Sequence, residues 1–245
     1  MVPKWLLGNL VAHRGLHNAE YSENTLEAFK NAADHHYNIE MDVQLTKDGK
    51  PVVYHDLRLD RLTDHDCLVK ELTLNEVRKV RYLQGGSIPT LEEALEVCEG
   101  RCGIMLEVKK DSYDAQEIDI EKVIYPILKS YRGDFIVKSF DPYTVKWFAD
   151  NAPEFSRGLL CEYAQMSEYP PSDRALVREL LDPDKPLVDF FDYHVGKVGS
   201  EIWNEATKHL PAVVWTVRSQ EQYEAVRSKV INVIFENFIP EVKKA

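Results

Sequence analysis

The chain has 245 residues, 44% of them hydrophobic, and a formal net charge of −11. That length and apolar content can build one large buried core, while the acidic surplus excludes a general binder of nucleic acid or of anionic membrane, which needs a basic face. An anionic substrate would have to be held by local cations or by a metal.

No stretch approaches the roughly 18 consecutive apolar residues of a membrane span, and the opening MVPKWLLGNLVAHRG lacks the apolar run of a signal peptide. Cys67, Cys98, Cys102 and Cys161 fall at irregular spacings that complete no zinc set. The expectation is one domain over 1–245, cytoplasmic, with reduced thiols and no stable membrane insertion.

In chain order, short apolar runs occur at 9–13, 38–45, 51–55, 103–109, 135–139, 157–161, 187–192, 212–217 and 231–235. Helical patterns fall between most of them. The first, 24–35, takes Ser22 or Asn24 as N-cap. Next come 73–82 and 90–98, opened by the capping boxes Thr73/Glu76 and Thr90/Glu93. The rest are 115–131, 141–151 with Pro142 in its first turn, 172–182, 198–209 and 219–229.

Strand–helix alternation predicts a parallel sheet covered by helices. The second and third runs are separated only by Thr46 to Lys50, too short for a crossover, so they form a hairpin around Asp48-Gly49. Setting the returning arm aside leaves eight strands, the number of a TIM-type (β/α)8 barrel. A doubly wound open sheet is the alternative, but its glycine-rich first turn is absent: HRGLHN holds one glycine.

With Asp48 and Gly49 as a two-residue loop, Asp42 faces His55 and Glu40 faces Leu57. Glu40, Asp42 and His55 then share one face of the hairpin, opposite Ile39, Met41, Val43 and Leu45. The run 103–109 repeats the pattern, with Glu107 and Lys109 opposite Ile104, Leu106 and Val108. His13 ends the first strand and Arg14 lies in the turn beyond, so one end of the barrel would collect Glu40, Asp42, Glu107, His13, His55, Arg14 and Lys109.

Paired acids on one strand usually mean a solvated face, and Lys109 could simply pair with Glu107. Glu107 on a second, equally apolar strand argues for more. Clustered carboxylates repel unless a cation neutralises them, and an oxygen-only donor set suits Mg²⁺ or Ca²⁺. Arg14 and Lys109 beside such an ion would bind a phosphoryl group. His13 and His55 would then serve as acid and base, in either order. That is the equipment for cleaving a phosphodiester.

At these residues the chain resembles a known family. VAHRG, SENTLEAF, IEMDVQLTKDG, VVYHDLRLDRLT, IPTLEEAL, LEVK, VKSFDP and WTVR follow in order the pattern of the glycerophosphodiester phosphodiesterases, over essentially the whole chain, in the manner of a bacterial cytosolic branch. The resemblance implies a TIM-type barrel, one divalent metal ion (Mg²⁺ or Ca²⁺), and hydrolysis of a small glycerophosphodiester to sn-glycerol 3-phosphate and an alcohol. It carries the metal ligands to Glu40, Asp42 and Glu107, and the catalytic pair to His13 and His55, with His55 favoured as base. Phosphate contacts fall on Arg14 and Lys109, and the aromatic lining the glycerol pocket on Trp215. Ser22 in place of the usual proline and Glu236-Asn237 in place of a Thr-Asp pair depart from the family and bear on the substrate alcohol.

A lysophospholipase D-like or phosphoinositide-type phosphodiesterase on the same barrel is the competing enzyme, and it would need an apolar apron. A barrel that binds phosphate without turnover is the competing non-enzyme. Assembly is open, a homodimer being compatible.

Overall fold

The computed structural model of the chain describes residues 2–110 and 118–242. Among the described residues there are nine strands: β1 Val11–Ala12, β2 Asn38–Leu45, β3 Pro51–Val53, β4 Ile104–Val108, β5 Phe135–Ser139, β6 Arg157–Cys161, β7 Phe190–His194, β8 Ala212–Val217 and β9 Asn232–Phe235. The helices are α1 Leu26–Asp34, α2 Leu74–Val77, α3 Leu91–Cys98, α4 Ile120–Ser130, α5 Pro142–Asn151, α6 Arg174–Leu180, α7 Glu201–Ala206 and α8 Gln220–Val226. The strand order belongs to the TIM-type (β/α)8 class, with β3 as the hairpin arm, and not to the doubly wound alternative. The trace divides into two compact units, Ala12–Phe135 and Met1–Val11 with Ile136–Ala245.

In the unit Ala12–Phe135, β2 pairs parallel with β4, setting Asp42 directly opposite Glu107. Ile39, Met41 and Val43 on β2 are fully buried, as are Ile104 and Leu106 on β4. Burial of this apolar face, about 1.5–3 kcal/mol per large side chain, fixes which way the acidic face points. α1 packs on β2 and on α3. Its N-cap is Thr25, which accepts from the Ala28 N–H, and neither Ser22 nor Asn24 fills that role. The Thr90/Glu93 box opens α3 as predicted. Glu76 accepts from both the Thr73 N–H and its hydroxyl, yet α2 ends at Val77 and does not run to 82. Beyond it Val80 and Tyr82 turn inward, joining Val52, Tyr54, Leu59, Val69, Val77 and Ile88 in a satellite core beneath the arm. The predicted helix 115–131 corresponds to α4, and residues 115–117 lie outside the described residues.

The arm itself differs from expectation by one residue. Gln44 pairs with Val52 and Leu45 with Pro51, so Asp42 lies opposite Tyr54 and not His55. The loop has three residues, because Thr46 donates to the Lys50 carbonyl at 3.0 Å and Gly49 donates back to Thr46 at 2.9 Å. Gly49 sits at φ +69°, the left-handed position that such a loop requires. A register shifted by one would turn His55 to the opposite face if the strand continued. It does not: β3 stops at Val53, and Gln44 donates from its carboxamide to the Tyr54 and Asp56 carbonyls at 2.7 and 2.8 Å. That staple holds the bend carrying His55.

In the other unit, β6 to β9 pair parallel in sequence order. Phe190, Phe191, Val213, Val214, Ile234 and Phe235 are buried there, and Lys138 forms a buried ion pair with Asp192 at 2.9 Å. Asp141 caps α5 by accepting from the Tyr143 and Thr144 N–H groups. Gly158 on β6 pairs with Phe190, whose ring lies across the glycine where a Cβ would project. Gly158→Ala is therefore expected to destabilise by about 1–3 kcal/mol through overpacking. Thermal unfolding of the variant checks this, and an unchanged midpoint would show that the ring moves freely.

Candidate active site

The predicted site residues other than Trp215 all belong to the unit Ala12–Phe135. Each of Glu40, Asp42 and Glu107 offers a carboxylate oxygen within 4.8 Å of the others. Strand pairing brings Asp42 and Glu107 together, and alternation along β2 places Glu40 on the same face as Asp42. Glu40 and Asp42 are fully buried and Glu107 is 6% exposed, so the solvated-face reading does not hold.

Two cations meet these acids. Lys109 donates to Glu107 at 2.5 Å and lies 3.3 Å from Asp42 Oδ1. Arg14 Nε lies 3.6 Å from Asp42 Oδ2, and its Nη1 donates to Glu23 at 2.6 Å. The Arg14 main-chain N–H donates to Glu40 at 3.2 Å. Asn24 donates from its amide to Asp42 Oδ2 at 2.8 Å, which is why its neighbour Thr25 takes the cap of α1. Arg14 and Asn24 hold left-handed backbones, φ +56° and +54°, and Asn24 N–H donates to the Arg14 carbonyl at 2.9 Å. Such a conformation costs a non-glycine residue roughly 1 kcal/mol or more. Here it aims both side chains at Asp42.

Burial pushes the Asp42 carboxyl upward, but Lys109, His55 and Arg14, with the Asn24 hydrogen bond, hold it well below the usual carboxylate range. Burial pulls the Lys109 ammonium down, but Glu107 and Asp42 more than reverse that and hold it above its ordinary value. The Arg14 guanidinium is likewise opposed by burial and raised by Asp42, Glu23 and Glu40. Asp42 Oδ1 is buried without a hydrogen bond. A buried carboxylate oxygen in that condition, beside two more carboxylates, fits a hard divalent cation.

The histidines flank the acids. His13 is 8% exposed, with Nε2 3.9 Å from Glu40 Oε2. His55 acts on Asp42 electrostatically, and its Nδ1 lies 2.5 Å from Asp56 Oδ1. An ionised carboxylate only accepts, so the proton sits on Nδ1 and Nε2 is left as the basic nitrogen.

Trp215 belongs to the other unit. Its ring meets Phe140 and His194 edge-on, at 5.4 and 5.2 Å between centroids, and its buried indole N–H makes no hydrogen bond. Among the described residues, no helix is long and apolar enough to cross a membrane. The four cysteines are free thiols.

Glu23, Asp56 and Arg61 were not among the predicted site residues. Arg61 donates to Asp56 and, through both Nη atoms, to Glu23. Burial raises the Asp56 and Glu23 carboxyls, but hydrogen bonds from His55 and Arg61 to Asp56, and from Arg61 and Arg14 to Glu23, bring both below their ordinary values. A carboxylate depressed in the folded state contributes stability that is complete above its unfolded pKa, about 4, and is lost as pH falls through the folded value. The unfolding midpoint of the metal-free protein should therefore drop on acidification below about pH 4. In Asp56→Asn it should drop less steeply; equal slopes for the two proteins would contradict the assignment.

A family model described as the glycerophosphoryl diester phosphodiesterase family matches residues 13–239. A glycerophosphodiester phosphodiesterase from Bacillus altitudinis is 40% identical over 249 residues, 94% of each chain. One from Caldanaerobacter subterraneus is 35% identical over 161 residues, 62% of this chain and 65% of the relative, so that match spans just under two thirds of the relative's length. Among solved structures, an Oleispira antarctica phosphodiesterase in complex with the product sn-glycerol-3-phosphate has a TM-score of 0.76 at 23% identity, covering 94% of this chain and 92% of that one. A glycerophosphodiester phosphodiesterase from Thermotoga maritima has a TM-score of 0.71 at 27% identity, covering 93% and 94%.

Proposed function

The chain belongs to the glycerophosphoryl diester phosphodiesterase family, and from that premise we propose that it hydrolyses glycerophosphodiesters to sn-glycerol 3-phosphate and an alcohol at the acidic cluster, as one catalytic domain. The observation that carries the reading is the burial of Glu40, Asp42 and Glu107 with ligand oxygens within 4.8 Å of one another. These three residues would hold one divalent ion, Mg²⁺ or Ca²⁺, which when bound supplies positive charge for the non-bridging phosphate oxygens.

The chain's own groups do the rest. Arg14 and Lys109 orient the diester phosphate and share its charge as it grows toward the transition state. His55, with its proton held on Nδ1 by Asp56, takes a proton at Nε2 from the attacking hydroxyl, whether water or the glycerol 2-hydroxyl. His13 delivers a proton to the departing alkoxide. The free thiols suit a cytoplasmic enzyme. A homodimer belongs to the reading only as a compatible assembly.

A coupled assay for glycerol 3-phosphate, run over several glycerophosphodiesters with and without EDTA, tests this. Release that EDTA abolishes and Mg²⁺ or Ca²⁺ restores is expected; no release with metal present would end the reading. His13→Ala and His55→Ala should each lower kcat by roughly 10²-fold or more. Steady-state kinetics at saturating metal measure this, and near-normal turnover in either variant would remove that histidine from its role.

A further inference from the structure

Arg61 has no place in the mechanism above, yet it joins two of its parts. The residue lies six positions past His55, and its side chain is 44% exposed. Nε donates to Asp56 Oδ2 at 2.5 Å. Nη1 and Nη2 donate to the two oxygens of Glu23 at 3.0 and 2.7 Å. Both acids are already committed to a site residue: Asp56 Oδ1 to His55 Nδ1 at 2.5 Å, and Glu23 Oε1 to Arg14 Nη1 at 2.6 Å. The result is a continuous chain, His55–Asp56–Arg61–Glu23–Arg14, within the unit Ala12–Phe135.

An exposed ion pair ordinarily contributes little. This one differs in kind. A planar guanidinium uses three donors on two carboxylates, a geometry that a lysine ammonium cannot reproduce. Its partners are less exposed, at 13% of the Glu23 side chain and 25% of that of Asp56. Without Arg61, Glu23 would keep Arg14 as its cation and compete with Asp42 for it, across the 3.6 Å that now separates Arg14 Nε from Asp42. Asp56 would lose the donor that fixes its plane, and with it the orientation it imposes on the imidazole.

We propose that Arg61 is a positioning residue for the phosphodiester reaction, clamping the loop of the base His55 to the loop of the phosphate-binding Arg14 through Asp56 and Glu23. Its role is exerted through these two acids and not by contact with substrate or cation. The inference rests on the reading of the site given above and adds to it a requirement that the two loops be set together.

The test compares the wild type with Arg61→Ala, Arg61→Lys, Asp56→Asn and the Arg61→Ala/Asp56→Asn double variant. Kinetics are measured at saturating metal, affinity for magnesium and calcium chloride by calorimetry, and the His55 tautomer by ¹⁵N imidazole NMR. Arg61→Ala should lower kcat by roughly 10²-fold, the scale of a small misplacement of reacting groups, while binding either cation as the wild type does. Arg61→Lys should recover little, because an ammonium cannot span both acids, and added guanidinium should recover part of the loss in Arg61→Ala. The double variant should be no worse than its worse parent, since both act through one chain. His55 should populate the Nδ1–H tautomer in the wild type and a mixture in Arg61→Ala. Near-wild-type kcat in Arg61→Ala, additive losses in the double variant, or loss of cation binding would each overturn the proposal. A wild type that releases no glycerol 3-phosphate would defeat the functional reading instead. The tautomer comparison would then decide the clamp by itself, an unchanged tautomer overturning it.

Discussion

Three carboxylates buried within a few ångströms of one another form the constraint around which the unit Ala12–Phe135 is organised. In water they would separate; in a low-dielectric interior they cannot all remain ionised without matching positive charge. The chain supplies Lys109 and Arg14 at close range and the Asn24 amide as a neutral donor. Each comes from a different segment, so the loop after β1, the start of α1, and strands β2 and β4 are tied to one electrostatic requirement. The cost appears as left-handed backbones at Arg14 and Asn24, and the apolar face of β2, buried under α1, offsets it. A divalent ion relieves the same repulsion more completely than two monovalent groups, and so a cluster of this kind reads as a cation site.

Much of this arrangement was legible in the amino-acid order. Period-two alternation in β2 and β4 separates Glu40, Asp42 and Glu107 from their apolar neighbours, and that signal is local and strong. The short Thr46–Lys50 connection forces a hairpin for reasons of chain length alone. The register within the hairpin was not legible to one residue. Asp-Gly suits a two-residue or a three-residue loop, and the choice falls to Thr46, whose hydroxyl accepts from Lys50 N–H and donates to Asp48. His55 reaches the neighbourhood of Asp42 because Gln44 fixes a bend, through contacts to carbonyls ten and twelve residues away that no periodicity announces.

Helix boundaries failed for similar reasons. Asn24 is as good a cap as Thr25 by type, but Asp42 claims its side chain, and only the fold says so. The 73–82 pattern is helical in composition, yet Val80 and Tyr82 fill the satellite core under the arm, and tertiary packing outweighs propensity there. Arg61 left one faint trace: a guanidinium a few residues past a His-Asp pair, with a glutamate following the Arg-Gly turn. Charge pairing across 38 positions is visible only once the loops have been placed.

Arg14 divides its labour between main chain and side chain. The amide of this residue serves Glu40, whereas the guanidinium serves Glu23 and Asp42, and the positive φ that permits both is one that glycine adopts at no cost. Electrostatics and scaffold are thus chemically separable at a single codon. Trimming the residue to glycine would erase the cation while sparing the peptide donor and relaxing the backbone.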